Sequence, residues 1–153
     1  NLTTRIMVRE GFRGGVVALN DRFFDPTNDL GEEFSVFQAA IGKDQKLGRV
    51  QLKAGQWYDL RFEWDLSEGH CLLHINNRLA ARLPLRSPTL NGLSYVRFRS
   101  TANDVDEAGF LVDNVEVSIA DPYAPPCQIA DQLRHEQRYT NQIVPLWNRG
   151  LTP

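Results

Sequence analysis

Apolar and polar residues alternate with period two along most of the chain, and short turn-forming stretches separate the alternating runs. The clearest run is YDLRFEWD at 58–65, in which Tyr58, Leu60, Phe62 and Trp64 alternate with charged residues. Because successive side chains of a strand point to opposite faces, this run predicts a strand with an aromatic core face and a charged outer face. The same pattern predicts strands at 4–9, 16–20, 34–41, 48–53, 58–65, 71–76, 79–84, 94–100 and 110–119.

The spacing of these strands predicts the fold class. No convincing helical pattern separates them, and turn residues such as Asn76 and Asn77 lie between them. A chain of many short strands without helices is typical of an all-β fold, here an antiparallel two-sheet jelly-roll sandwich.

The pattern changes after residue 119. The stretch ADPYAPP at 120–126 cannot continue a sheet ladder, and beyond it Ile129, Leu133 and Ile143 follow a roughly helical spacing. The sequence therefore predicts a sandwich domain at 1–120. It predicts a Pro-rich linker, a short helix and an irregular docking tail at 121–153.

Charge and hydropathy exclude two classes of partner. The formal net charge is −2 and the sequence pI is about 5.9, so the chain lacks the excess of Lys and Arg expected of a nucleic-acid-binding protein. No segment approaches the roughly 20 consecutive apolar residues that span a bilayer. We expect neither a nucleic-acid partner nor a membrane span.

Three segments resemble a known family. They are GQWYDLRFEWDLSEGHCLLHINNRLAARLP at 55–84, GLSYVRFRS at 92–100 and GFLVDNVEVSI at 109–119. Together they resemble the concanavalin A-like (laminin-G-like) jelly-roll domains of bacterial carbohydrate-active proteins, over about residues 4–119. Such domains usually start with one or two further strands, so the resemblance implies that the first strands are lacking here.

The resemblance also implies a function. It suggests a non-catalytic carbohydrate-binding or accessory domain of a glycoside hydrolase, a sialidase-like enzyme or a polysaccharide lyase, in an extracellular or periplasmic location. No E-x-D-x-x-E pattern of catalytic sandwiches occurs, and the three histidines share no metal or triad spacing. A catalytic hydrolase or lyase is therefore the lower alternative.

A candidate ligand-binding face lies on the strand predicted at 94–100. Tyr95, Arg97 and Arg99 share the face turned away from the core, and they combine an aromatic ring with two guanidinium groups that suit an acidic glycan. If the hairpin strands lie beside them, Arg61 and His74 extend the patch. The alternatives are a solvated face with cross-strand ion pairs, or a face covered by a neighbouring domain.

Structural calcium is a further hypothesis. Loops of a sandwich can offer the hard oxygen ligands that calcium requires, and the candidates from loops are Asp25, Asp104 and Asp106. The family resemblance adds Asp113, which lies in VDNV. The alternative is that these residues only stabilise turns.

The remaining sequence signals concern contacts. An alternative function is a structural interaction module that packs on a catalytic domain or on another copy of the chain, with Leu133 and Trp147 at the interface. Cys71 lies in an apolar run and is expected in the core, although a bridge to Cys127 is an open alternative.

Overall fold

The chain folds into two antiparallel β-sheets, seen in a computed structural model that describes residues 1–24, 31 and 33–118. The strands are β1 (Leu2–Val8), β2 (Gly15–Asn20), β3 (Phe37–Ile41), β4 (Lys46–Leu47), β5 (Val50–Gln51), β6 (Trp57–Asp65), β7 (His70–Ile75), β8 (Arg78–Pro84), β9 (Tyr95–Ser100) and β10 (Phe110–Val117). Sheet A has the strand order β10-β1-β6-β7-β8, and sheet B has the order β5-β4-β3-β2-β9. The predicted all-β, two-sheet antiparallel sandwich is confirmed.

The core lies between the two sheets. In β6, Tyr58, Leu60 and Phe62 are buried and Trp64 packs against the core, so the predicted faces of this strand are confirmed. The largest fully buried side chains come from both sheets and include Leu2, Ile6, Val17, Phe37, Ile41, Leu47, Leu60, Phe62 and Leu73. Within the described residues, no helix is long and apolar enough to cross a membrane.

Cys71 belongs to this core, as the apolar run predicted. Its side chain is fully buried and its thiol is free. Burial raises the pKa of Cys71 to about 12, because the thiolate would have to form away from water. Cys127 lies outside the described residues.

The strand predicted at 48–53 is instead a tight hairpin of β4 and β5. Lys46 pairs with Gln51 and Leu47 with Val50, so residues 48 and 49 form the turn. Gly48 has a φ of 58°, a left-handed conformation that suits glycine in a turn and not in a strand. The turn packs on sheet A, where a Cβ at Gly48 would lie 2.5 Å from the carbonyl oxygen of Ala80.

Sheet A joins the two ends of the described chain. β1 lies between β6 and β10 and is antiparallel to both. The terminal ammonium group of Asn1 donates a hydrogen bond to the carbonyl oxygen of Ser118, at 2.8 Å. The predicted linker, helix and docking tail at 121–153, with Leu133 and Trp147, lie outside the described residues.

Candidate functional site on the outer face of sheet B

β9 forms one edge of sheet B and presents two different faces. Val96 and Phe98 pack against the core, whereas Tyr95, Arg97 and Arg99 lie on the opposite, outer face. The structure therefore places these three predicted ligand-binding residues together, in the order that the alternation predicted.

The neighbouring strands complete this outer face. Across the β2–β9 pair, the residues opposite Tyr95, Arg97 and Arg99 are Asn20, Ala18 and Val16, all of them buried. On the next strand, Gln38 of β3 lies opposite Ala18. Tyr95, Arg97 and Arg99 thus line the β9 side of the face, next to the buried residues of β2.

Two amide oxygens on this face have no hydrogen-bond partner among the described residues. They are Oδ1 of Asn20 and Oε1 of Gln38, and both are buried. Asn20 is only 2% exposed, so bulk water does not replace the missing donor. An unsatisfied buried acceptor costs about 1–3 kcal/mol, and a donor that reached it would recover part of this free energy.

An exposed aromatic pair lies beside Asn20. The rings of Phe23 and Tyr95 meet edge to face, with centroids 5.3 Å apart and an interplanar angle of 61°. Phe23 is 60% exposed and Tyr95 is 47% exposed, which is unusual for side chains of this size. The sequence pattern did not indicate Phe23, because it lies in a segment without alternation, just after β2.

A buried carboxylate holds this aromatic pair in place. Asp21 accepts hydrogen bonds from Nε and NH2 of Arg22 at 2.9 and 2.8 Å, and from the hydroxyl of Thr89 at 2.8 Å. The Ser94 hydroxyl donates to the Asp21 carbonyl oxygen at 2.7 Å. These bonds tie the chain after β2 to the segment before β9, which brings Phe23 against Tyr95.

The same contacts determine the protonation of Asp21. Burial alone would raise the pKa of this carboxyl group, but the hydrogen bonds from Arg22 and Thr89 outweigh burial and hold the pKa below its usual value. Asp21 is therefore ionised at neutral pH, and its charge balances that of Arg22.

The segment between β2 and β3 returns to the outer face at Gly31. A Cβ at Gly31 would lie 2.7 Å from NH1 of Arg97 and 3.1 Å from Cβ of Phe24. Phe24 in turn stacks on Phe34, with centroids 6.1 Å apart. Arg97 is thus partly covered, which leaves the Tyr95 end of the face more open than the centre.

The predicted extension of the patch by Arg61 and His74 is not formed. These residues lie opposite each other on β6 and β7, in sheet A, whereas Tyr95 belongs to sheet B. Nε of Arg61 and Nδ1 of His74 lie 3.5 and 3.4 Å from the carboxylate of Glu63. Arg61, His74 and Glu63 thus form a separate polar cluster on sheet A.

The loop aspartates predicted to bind calcium already have partners in the protein. Asp104 forms an ion pair of 2.6 Å with Arg13. Asp106 accepts hydrogen bonds from the Gly109 amide at 3.0 Å and the Ser100 hydroxyl at 2.7 Å, and these bonds lower its pKa. Both carboxylates stabilise the β9–β10 loop.

The other two calcium candidates lie elsewhere. Asp113 is in β10, on sheet A, 3.8 Å from the guanidinium of Arg5, and it accepts a hydrogen bond from the Asn114 amide. Asp25 lies outside the described residues. In the part of the chain that the structure describes, no three His, Cys, Asp or Glu side chains are grouped so that they could hold a metal ion. Calcium binding stays a prediction.

A groove of about 480 Å³ lies between residues 9–13 and 105–108. Its two arginines already make contacts within the protein: Arg13 pairs with Asp104, and NH1 of Arg9 donates to the Glu107 carbonyl oxygen at 3.3 Å. Both arginines of this groove are therefore already engaged within the protein.

Comparison with known proteins supports the architecture. No family model matches the chain, and no curated protein matches it either. Among solved structures, the chain is similar to a chain titled "Sialidase", with a TM-score of 0.60 and 10% sequence identity. The similarity covers 80% of this chain but only 13% of that chain. At this identity the likeness shows the fold alone.

Proposed function

We propose that the chain is a non-catalytic carbohydrate-binding domain of a larger sugar-active protein. The observation that supports this most directly is the exposed Phe23–Tyr95 pair next to the buried, unpartnered Oδ1 of Asn20. The ligand site we propose is the Tyr95 end of the outer face of sheet B, with Phe23, Tyr95, Asn20, Arg97 and Arg99 as its residues.

The chemistry of a pyranose fits this arrangement. Its C–H groups are apolar and slightly positive, so they pack on the negative face of an aromatic ring such as that of Tyr95. Its hydroxyl groups donate hydrogen bonds, and one of them would satisfy the Oδ1 of Asn20 once the side chains that cover this atom move aside on binding. Stacking would provide affinity, and the buried acceptor would discriminate among hydroxyl positions.

Two guanidinium groups on the face suit an acidic sugar. Arg97 and Arg99 lie on one side of β9, and guanidinium groups bind carboxylates and sulfates through paired N–H donors. A uronic or sialic acid is therefore the class of sugar we propose. An extracellular or periplasmic location would suit such a ligand.

The structural likeness adds context to the proposal. A chain titled "Sialidase" contains a region with this fold that makes up a small part of its length. An accessory domain attached to a larger catalytic domain would likewise make up a small part of the length of its chain. We extend this organisation to the present chain as part of the proposal.

A glycan array of neutral, uronic-acid and sialylated sugars tests the proposal. We expect selective binding to acidic sugars, and at least a tenfold loss of affinity in Tyr95→Ala and Phe23→Ala. Leu79→Ala is the matched control, because Leu79 is an exposed apolar residue of sheet A. A chelator arm tests the calcium prediction in the same experiment.

Two outcomes would count against the proposal. Absence of binding across the panel would favour the alternative of a structural interaction module. Equal losses of affinity in Tyr95→Ala and Leu79→Ala would move the binding site away from sheet B.

A further inference from the structure

β10 forms the edge of sheet A and exposes apolar residues on the side that faces the core. Val112 and Val117 pair with the buried core residues Ile6 and Leu2, which fixes their orientation. Val115 lies two residues before Val117 in the strand, so its side chain points to the same side of the sheet. Although these side chains point to the core side, Val112 is 36% exposed, Val115 is 46% exposed and Val117 is 64% exposed.

The exposure has a cause in the arrangement of the sheets. β9 is the last strand of sheet B, and on the core side of β9 Val96 and Phe98 are only partly buried. At its start β10 is covered, because Phe110 packs edge to face on Phe12 with centroids 5.9 Å apart. Beyond Phe110, sheet B has no described strand that would cover β10.

We call the apolar surface between the edges of β9 and β10 the open strip, and define it by Val96, Phe98, Val112, Val115 and Val117. An apolar strip along two strand edges is unfavourable in water, and strand edges without partners invite association. Another segment is therefore expected to cover it.

We propose that part of residues 119–153 covers the open strip of the same chain. The described chain ends at Ser118, whose amide donates a hydrogen bond of 3.0 Å to the Asn1 carbonyl oxygen. This position directly follows Val117, the most exposed residue of the strip. Two stacked sheets are about 10 Å apart, so a few residues of extended chain can reach from β10 to β9.

The composition of this segment suits the role. It contains the apolar residues Ile129, Leu133, Ile143 and Trp147. A covalently attached segment also has an effective concentration in the millimolar range, which favours it over a second copy of the chain at ordinary protein concentrations. Leu133 and Trp147 would then contact their own sandwich instead of another domain.

Trypsin cleavage of the full chain tests this proposal, because Arg134 and Arg138 provide cleavage sites within the segment. We expect Val117→Asp to accelerate cleavage at these sites at least tenfold, since the charge weakens packing on the strip. Leu111→Asp is the matched control: Leu111 is an exposed apolar residue of the same strand and pairs with Met7 on the outer face. It should leave the cleavage rate unchanged.

Two further variants keep the proposal testable if Val117→Asp does not fold. Val117→Thr keeps the shape of the side chain and should give a smaller acceleration in the same direction. Trp147→Ala should also accelerate cleavage, while the sandwich itself stays folded. Resistance of Cys71 to alkylation under native conditions would verify that each variant is folded.

Two outcomes would overturn the proposal. Equal cleavage rates in the unmodified chain, Val117→Asp and Leu111→Asp would show that the segment does not pack on the strip. If the unmodified chain is a dimer, and Val117→Asp makes it a monomer with no change in cleavage rate, a second copy covers the strip instead.

Discussion

Asn20 lies directly opposite Tyr95 across the β2–β9 pair, so that a buried acceptor without a hydrogen bond adjoins a half-exposed aromatic ring. Buried positions usually avoid such an acceptor, because leaving it unsatisfied lowers stability. The arrangement is understandable if a ligand supplies the missing donor.

Asn20→Ala separates binding from stability. We expect this variant to lose at least tenfold in affinity for an acidic glycan, because the acceptor is removed. Its free energy of unfolding should fall by no more than about 1 kcal/mol, since the lost oxygen makes no hydrogen bond. Isothermal titration and urea unfolding measure the two effects. Loss of stability with unchanged affinity would contradict the proposed role of Asn20.

Arg61 and Arg97 should behave differently in binding. Arg97 lies on the same face as Tyr95, whereas Arg61 is in the other sheet, close to Glu63. We expect Arg97→Ala to weaken acidic-glycan binding at least tenfold and Arg61→Ala to leave it within twofold. Titration with one uronic-acid oligosaccharide compares them, and a large effect of Arg61→Ala would place the site on sheet A.

Gly48→Ala should destabilise the sandwich strongly. Both Gly48 and Gly55 have positive φ values, of 58° and 75°, and alanine in such a conformation costs about 1–2 kcal/mol. Only at Gly48 would the added Cβ also meet backbone, the Ala80 carbonyl oxygen at 2.5 Å, whereas at Gly55 nothing lies within 4 Å.

Urea unfolding of the two variants measures the difference. Gly55→Ala should lose about the backbone cost alone. Gly48→Ala should lose at least about 1 kcal/mol more, since the turn must move away from β8. Equal losses in the two variants would show that the contact between this turn and β8 contributes nothing to stability.

Asp21 should make stability depend on acid pH. The pKa of Asp21 in the folded protein lies below its value in the unfolded chain. Its contribution is therefore fully present above a pH of about 4, the ordinary range of aspartate, and is lost as the pH falls through the lowered pKa. Asp21→Asn should unfold more easily at pH 7, by about 1–3 kcal/mol.

The pH series provides the control for this prediction. The difference in free energy of unfolding between Asp21→Asn and the unmodified chain should shrink as the pH is lowered from 5 to 2. Asp65→Asn is a positive comparison, because hydrogen bonds from Ser67 and Glu68 also lower the pKa of this exposed carboxyl group, so its difference should shrink over the same pH range. A constant difference across the series would contradict a lowered pKa for Asp21.

Much of this fold could be predicted from the sequence because alternation reports directly on which face is buried. The strands β6 and β9 and their faces follow from period two, and so does the shared outer face of Tyr95, Arg97 and Arg99. Local alternation does not report which strands become neighbours. For this reason the sequence could not separate Arg61 and His74 from the residues of β9.

Other features could not be predicted from the sequence, because they depend on contacts between residues that are distant along the chain. Gly48 looks like the start of a strand in the sequence, and its turn conformation follows from packing against Ala80. Phe23 lies in a segment without periodicity, and its contact with Tyr95 depends on the hydrogen bonds of Asp21 to distant residues. The open strip depends on the number of strands in sheet B.

The pairing of β1 with β10 has a consequence for how the chain folds. Leu2 pairs with Val117, so the β10 edge of sheet A cannot be completed until nearly all of the described chain has left the ribosome. Contacts between residues so far apart in sequence slow folding, because the entropy of closing a long loop is lost before the contact forms. We expect β6, β7 and β8, which are joined by hairpins, to form early, and β1 to wait beside them until β10 arrives.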